Sequence, residues 1–315
     1  MEQGNESFTT DFILLGFFSD SQHPRLLISI VLLILGVAIQ GNSILALLIW
    51  GHACLHTPMY SLLSQVSLMD LMLISTTVPK MTTNFFSGHK FISHIGCGVQ
   101  IFLYLMLGVA ECVLLTLMAF DCYLAICSPL RYPVIMTPRA CMQMVTGSWA
   151  GGVRISLMHT IYTMHFSTYG SRKIHHFFCE VMALLKLSCE DTSTYEKVVL
   201  LSNISFLLIP FGLIVTSYIL IYFNVLHMNS PKGKNKALAT CSSPLGVVSL
   251  YFGPAMIIYM TPRSSLPSEV DQHLFVFDVI ITLMFNPLIY SLRNKEVLGA
   301  LRKVLWRKLM FKQKR

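Results

Sequence analysis

The sequence predicts an all-α membrane protein, a seven-transmembrane helix bundle with a C-terminal amphipathic interfacial helix. Three observations carry that prediction. Of 315 residues, 54% are hydrophobic and only 12% are charged, about half the charge of an average soluble domain. Mean hydropathy is +0.63. The apolar residues gather into seven stretches, each near the ~20 residues that a helix needs to cross a bilayer. A water-soluble enzyme, a disordered chain and a collagen-like chain are excluded.

The spans are read at about 26–50, 57–79, 98–126, 140–162, 198–226, 237–261 and 272–292, within a single domain covering 1–315 and without internal repeats. Spans one, five and six carry no formal charge. The exceptions elsewhere are Asp70, Glu111, Asp121, Arg154 and Asp278. Helices are required because backbone groups in lipid must pair within the segment. The short alternating strands of a membrane barrel are absent from the sequence.

Orientation follows from the cations. With the N-terminus outside, fourteen Lys and Arg fall on the cytoplasmic side, eight outside and one inside a span, as the positive-inside tendency requires. The cytoplasmic set is Arg131, Arg139, Lys232, Lys234, Lys236 and nine residues from Arg293 to Arg315. Residues 1–25 are read as an extracellular tail and 293–315 as a cytoplasmic tail. No charged-then-apolar leader precedes span one, which is expected to serve as its own signal anchor. The net charge of +8 is therefore assigned to topology and not to nucleic-acid binding.

The tail itself has helical apolar spacing at Val297, Leu301, Val304, Leu305 and Leu309. Arg302, Lys303, Arg307, Lys308 and Lys312 fall between them, a pattern suited to lipid headgroups. Membrane lipid is thus one predicted partner.

Ionisable groups inside a bilayer are costly and usually functional. Asp70 and Glu111 sit mid-span, with Asn42 and Asn286 at comparable depth. The four form either a hydrated cluster that holds sodium through oxygen ligands or an ion-free interhelical network. No other cofactor is predicted. Pro287, within Asn286-Pro287-Leu288-Ile289-Tyr290, removes a backbone bond and gives span seven a hinge. Pro58 and Pro210 act similarly in spans two and five.

Nine cysteines include no Cys-x-x-Cys pair. Cys97 begins span three and Cys179 lies in the long second outer loop, where an oxidising exterior favours a bridge between them. Cys189 is left outside that bridge. His175, His176, Cys179 and Glu180 look like metal ligands, but a bridged Cys179 offers no thiolate. Asn5-Glu6-Ser7 is a glycosylation sequon in the outer tail. Asn203-Ile204-Ser205 also matches, but inside span five. No phosphate loop, His-Glu-x-x-His or nucleophile elbow is present, and no enzyme activity is predicted.

Read in order, the motifs resemble the olfactory receptor family of rhodopsin-like G-protein-coupled receptors over almost the whole chain. Gly41-Asn42 comes first, then Leu55-His56-Thr57-Pro58-Met59-Tyr60. Met118 to Cys127 reads MAFDCYLAIC, close to the family's MAYDRYVAIC. Ser217-Tyr218 ends span five, Lys236 to Ser243 opens span six, and Asn286 to Asn294 reads NPLIYSLRN. Ile174 to Glu180 is similar to tetrapod-type (class II) receptors, particularly their family-2 branch.

The resemblance implies a multi-pass plasma-membrane receptor, N-terminus outside, with a ligand pocket in the outer half of the bundle. Its lining would be Tyr104, Leu105, Gly108, Val109 and Cys112 on one face of span three. Ser202, Asn203 and Phe206 would join from span five, and Phe252, Ala255 and Tyr259 from span six. That lining is apolar and aromatic with a few orienting polar groups. Tyr104 stands near the position where aminergic receptors place an aspartate, so a small neutral volatile odorant is favoured over a cationic amine. Activation is expected to be a population shift that opens the inner face to a heterotrimeric stimulatory G protein and raises cAMP. Asp121, Cys122, Tyr123, Tyr218, Asn286, Pro287 and Tyr290 occupy the switch positions.

Several positions depart from the family. Cys122 stands where the family has arginine, and offers neither charge nor a fork of donors. Impaired G-protein coupling is the alternative reading that follows. Pro244 replaces a histidine and is expected to break the inner turns of span six. Leu283 replaces a proline, Asp278 a tyrosine, and Arg154 is an unexpected charge in span four. Tyr251-Phe252 inverts the family's Phe-Tyr order. Tyr169 replaces a loop cysteine that many relatives have.

Overall fold

A computed structural model describes residues 12–15, 23–87, 90–166, 172–174, 176, 178–260, 280, 282–293 and 296–303. At 24, 232, 236–244, 259–260 and 290–293 it describes the backbone alone. Asn5, Tyr169, His175, Asp278 and 304–315 lie outside the described residues.

The helices begin where the sequence supplies capping chemistry. α1 (Pro24–Gly51) opens on proline, whose fixed φ suits the first helical turn. α2 is Pro58–Ser87. α3 (His94–Cys127) is capped by Ser93, whose Oγ accepts from the Gly96 amide at 3.1 Å. A short α4 (Tyr132–Ile135) leads to α5 (Pro138–His165), where Thr137 Oγ1 accepts from the Ala140 amide at 3.2 Å. Each cap satisfies an end donor that would otherwise be orphaned. The five-residue α6 (Val181–Leu185) precedes α7 (Ser193–His227). α8 (Pro231–Met260), α9 (Thr282–Arg293) and α10 (296–303) follow among the described residues.

Spans one to seven correspond to α1, α2, α3, α5, α7, α8 and α9. The helices outrun the apolar stretches that announced them: α2 continues beyond Pro79 to Ser87, and α8 starts at Pro231. The break expected at Pro244 is not present, because α8 is continuous from Pro231 to Met260. Proline deletes one N–H while the rest of the ladder stays bonded. Pro79, Pro210 and Pro287 are likewise carried inside continuous helices.

The seven long helices pack as one bundle around α3, which touches α2, α5, α7 and α8. α1 lies against α2 and α9, and α9 against α8. The main core joins Leu63 and Met69 of α2, Leu107, Leu114 and Met118 of α3, and Val247 of α8. Lipid competes for apolar surface, so close approach at small residues matters more here than in water. A Cβ on Gly152 would stand 2.6 Å from the Met106 carbonyl oxygen and 3.3 Å from Ala110 Cβ. A Cβ on Gly41 would stand 2.9 Å from Pro287 Cγ. Those two glycines set the α5–α3 and α1–α9 approaches.

α1, α2, α3 and α7 are each long and apolar enough to cross a membrane. In α7 the most apolar window has a mean hydropathy of 2.4, yet only 17% of it is buried. Leu213, Leu220 and Phe223 face outward there, a surface that water would penalise and acyl chains accept.

One end carries a feature that no local pattern announced. β1 (Phe12–Leu14) is the central strand of a three-stranded sheet. It runs antiparallel to β2 (Phe91–Ile92) and parallel to β3 (Lys173–Ile174), with Phe12 opposite Ile92 and Leu14 opposite Ile174. Phe12 and Leu14 bury into a separate cluster with Cys97, Ile101, Leu184 and Tyr195. At the opposite end α10 packs against the bundle, a contact that the reading of the tail as an interfacial helix did not include. Val297 and Ala300 enter the main core, and the Tyr60 hydroxyl donates to Glu296 Oε2 at 2.9 Å. Arg302 and Lys303 remain exposed.

Candidate functional site

A cavity opens among α2, α3, α5, α7, α8 and α9, enclosing about 960 Å³ of empty space with the open solvent at its mouth included. Helical spacing turns Tyr104, Leu105, Gly108, Val109 and Cys112 to one side of α3, and all five line it. Ser202, Asn203 and Phe206 line it from α7 and Ala255 from α8. Nine of the eleven residues expected from the sequence are therefore brought together. The side chain of Tyr259 lies outside the described residues.

Phe252 is the exception. It is fully buried in the core, its ring 5.7 Å from that of Phe211, and its neighbour Tyr251 lines the cavity instead. Consecutive helical residues point about 100° apart, and the rotation of α8 turns Tyr251 to the cavity and Phe252 into the core. The Tyr251 hydroxyl donates to the Gly108 carbonyl at 2.9 Å and accepts from Cys112 Sγ at 3.3 Å, which fixes the choice.

The sequence reading missed the contribution of α5. Ile155 and His159 both line the cavity. The signal was present: Ser148, Gly152, Ser156, His159 and Thr163 are buried at helical spacing along one stripe of small and polar residues. His159 Nδ1 lies 3.1 Å from the Tyr195 hydroxyl, which itself donates to the His159 carbonyl at 3.0 Å and lies 3.2 Å from Thr163 Oγ1.

A second cavity of about 430 Å³ adjoins the first, sharing Tyr104, Leu105, His159 and Asn203 with it. Cys179, Glu180, Val181 and Met182 supply its loop side. The loop is held by the Cys97–Cys179 disulfide, as expected. The Cys179 amide also donates to Gln100 Oε1 at 3.2 Å, and Gln100 Nε2 donates to the Thr76 carbonyl at 3.3 Å. Phe178 packs on Tyr104 with ring centres 5.0 Å apart, and on His176 at 4.6 Å. With Cys179 bridged, the His176–Glu180 stretch has no thiolate to offer a metal.

Beside the large cavity lies the polar cluster. Asn286 Nδ2 donates to Asp70 Oδ2 at 3.2 Å, and Asn42 Nδ2 donates to the Ala38 and Leu283 carbonyls, each at 3.2 Å. Glu111 is buried, and with Asp70 lines the cavity. Asn42 Oδ1, Asp70 Oδ1 and Asn286 Oδ1 are buried with no hydrogen-bond partner among the described residues. Buried oxygens short of donors fit a small hard cation or bridging water.

At the α10 end, Tyr132 of α4 donates to buried Asp121 at 2.9 Å. Burial and then the Asp121 charge push the Tyr132 phenol well above its ordinary pKa, so the hydroxyl remains a donor. Cys122 is 1% exposed and packs with Ile221 and Val225 of α7, with Tyr123 and Tyr218 alongside. Pro287 meets Gly41 as described, while the Tyr290 side chain is outside the described residues. Arg154 is exposed on the outer face of α5.

Comparison with known proteins matches residues 29–308 to the olfactory receptor family. Human olfactory receptor 2V2 is 50% identical over 301 residues, covering 96% of each chain. Mouse olfactory receptor 2V1 is 51% identical over the same length and coverage. Human olfactory receptor 2T27 is 50% identical over 307 residues, covering 98% of this chain and 97% of its own.

Proposed function

Because the chain belongs to the olfactory receptor family, we propose that it binds small, mostly neutral volatile molecules in the larger cavity and signals through a stimulatory G protein to raise cAMP. The family is one of G-protein-coupled receptors and not of enzymes. The observation that carries the ligand reading is the cavity itself. Nine expected positions line it, mainly apolar and aromatic, with Ser202, Asn203 and Tyr251 as polar contacts. Such a lining captures a small organic molecule and orients it with few hydrogen bonds. The receptor sits in the plasma membrane with the disulfide end outside and Asn5 glycosylated. Asp121, Tyr123, Tyr218 and Tyr290 serve the G-protein face.

The polar cluster holds sodium, with Asn42, Asp70 and Asn286 supplying oxygens and Glu111 adjoining. In that role the ion would bridge α1, α2 and α9 and stabilise one arrangement of the bundle.

A second reading, weakened coupling, is favoured by Cys122. A buried thiol among Ile221 and Val225 cannot reach a partner protein as a guanidinium fork does. Odorant-evoked cAMP in cells carrying the native chain, beside Cys122→Arg with surface level scored in parallel, tests both. Response from the native chain supports full coupling. Response from Cys122→Arg alone supports weakened coupling with a working pocket. Silence from both at normal surface level, across a broad odorant panel, removes the odorant reading.

A further inference from the structure

We infer that His159 is a hydrogen-bond acceptor of fixed polarity in the ligand cavity, and that it selects odorants carrying an O–H, N–H or S–H donor over isomers that lack one. The inference rests on the reading of that cavity as the odorant site.

The polarity follows from counting protons around Tyr195. Its hydroxyl has one hydrogen and three neighbours: the His159 carbonyl at 3.0 Å, His159 Nδ1 at 3.1 Å and Thr163 Oγ1 at 3.2 Å. A carbonyl oxygen only accepts, so the phenolic hydrogen goes there. Nδ1 and Thr163 must then both donate into the two lone pairs of the Tyr195 oxygen. An imidazole that carries its hydrogen on Nδ1 has a bare lone pair on Nε2. That nitrogen has no hydrogen-bond partner among the described residues, although the ring lines both cavities.

The other polar groups of the lining differ from Nε2 in being already hydrogen-bonded or in offering both polarities. The Tyr251 oxygen donates to the Gly108 carbonyl and accepts from Cys112, and Thr282 Oγ1 donates to the Leu250 carbonyl, so the acceptor capacity they keep belongs to atoms that already have a partner. Asn203 carries both a donor and an acceptor, and Ser202 can act as either, so neither excludes a ligand by polarity. Asp70 and Glu111 belong to the polar cluster, with Glu111 seven residues along α3 from Tyr104, about 10 Å deeper at the helical rise. His159 stands where the two cavities meet. A ligand that leaves Nε2 dry and unpaired therefore loses more than one that supplies a hydrogen.

Isomer pairs isolate the effect, because 1-octanol and heptyl methyl ether share a formula, as do 2-phenylethanol and benzyl methyl ether. The experiment measures the concentration giving half-maximal thermal stabilisation of the purified full-length receptor, across a panel built of such pairs. This readout does not depend on G-protein coupling. The expected result is that alcohols act at concentrations at least tenfold below their isomeric ethers. In His159→Phe that ratio falls below threefold, and in His159→Gln, whose amide can donate as well as accept, it falls in the same direction. Should His159→Phe fail to fold, Tyr195→Phe serves: freed of its acceptor, Nδ1 releases the tautomer, and the alcohol preference drops at least threefold. Equal responses to alcohols and ethers in the native chain, or a preference untouched in His159→Phe, overturn the inference and leave the odorant site standing. No stabilisation by any compound on folded receptor overturns the underlying odorant-site reading, and the inference with it.

Discussion

Tyr132 holds Asp121 by a 2.9 Å hydrogen bond that joins α4 to the last turns of α3. In this chain that bond does the positioning next to Cys122, where the olfactory family has a charged neighbour. Tyr132→Phe leaves a buried carboxyl without its phenol, at a cost of about 1–3 kcal/mol. Purified Tyr132→Phe receptor is expected to unfold several degrees below the native chain, with ligand affinity at the other end of the bundle unchanged. The phenol's pKa is raised on folding, so its contribution is complete below the ordinary tyrosine value and is lost progressively as pH rises from that value through the raised one. The gap in unfolding temperature between native and variant should accordingly be constant from about pH 7.5 to 9.5, well below the ordinary tyrosine value of about 10. A gap that closes over that interval would contradict the assignment.

Gly152 and Gly151 make a matched pair. A side chain at Gly152 meets the Met106 carbonyl of α3, whereas one at Gly151 meets nothing within 4 Å. Gly152→Val forces α5 away from α3 at a cost of about 1–3 kcal/mol or more and should lose most surface expression. Gly151→Val should express as the native chain does. Flow cytometry on the two variants decides it, and equal expression would mean that the α3–α5 approach is not set by this glycine.

Sodium can be tested without an odorant. If Asn42, Asp70 and Asn286 hold the ion at near-saturating concentration, replacing choline by sodium should raise the unfolding temperature by about 2–4 °C. The increment should vanish in Asp70→Asn. An equal unfolding temperature in both salts would leave the cluster as an ion-free network.

The Cys97–Cys179 bridge spans 82 residues, a loop whose closure restrains the unfolded chain by about 4.5 kcal/mol. It also seats the wall of the second cavity. Cys97→Ser should remove both surface expression and ligand-induced stabilisation. Cys189→Ser, at an exposed position outside the bridge, should change neither. Normal surface level in Cys97→Ser would show that the Gln100 contacts suffice to hold the loop.

The helices were legible because each rests on a local signal, a long apolar run with at most two charges. The polar cluster was legible because charge inside a bilayer stands out against everything around it. The rotation of a helix about its own axis is not local. The choice of Tyr251 over Phe252 depends on a carbonyl of α3 that lies 143 residues away. His159 was overlooked because a single histidine on a stripe of small residues reads as packing until Tyr195 is seen to fix its ring. β1 to β3 have two or three residues each, too few for any periodicity.

The central position of β1 also has a meaning in time. Phe12 and Leu14 are synthesised ahead of both neighbours, since their partners Ile92 and Ile174 follow 80 and 160 residues later. At about 5–20 residues per second, the first-made strand waits on the order of ten seconds for its second neighbour. Throughout that interval its two apolar side chains lack the cover they have in the finished protein. The sheet is therefore a late-closing seal, completed only after the chain has delivered α5 and the loop beyond it.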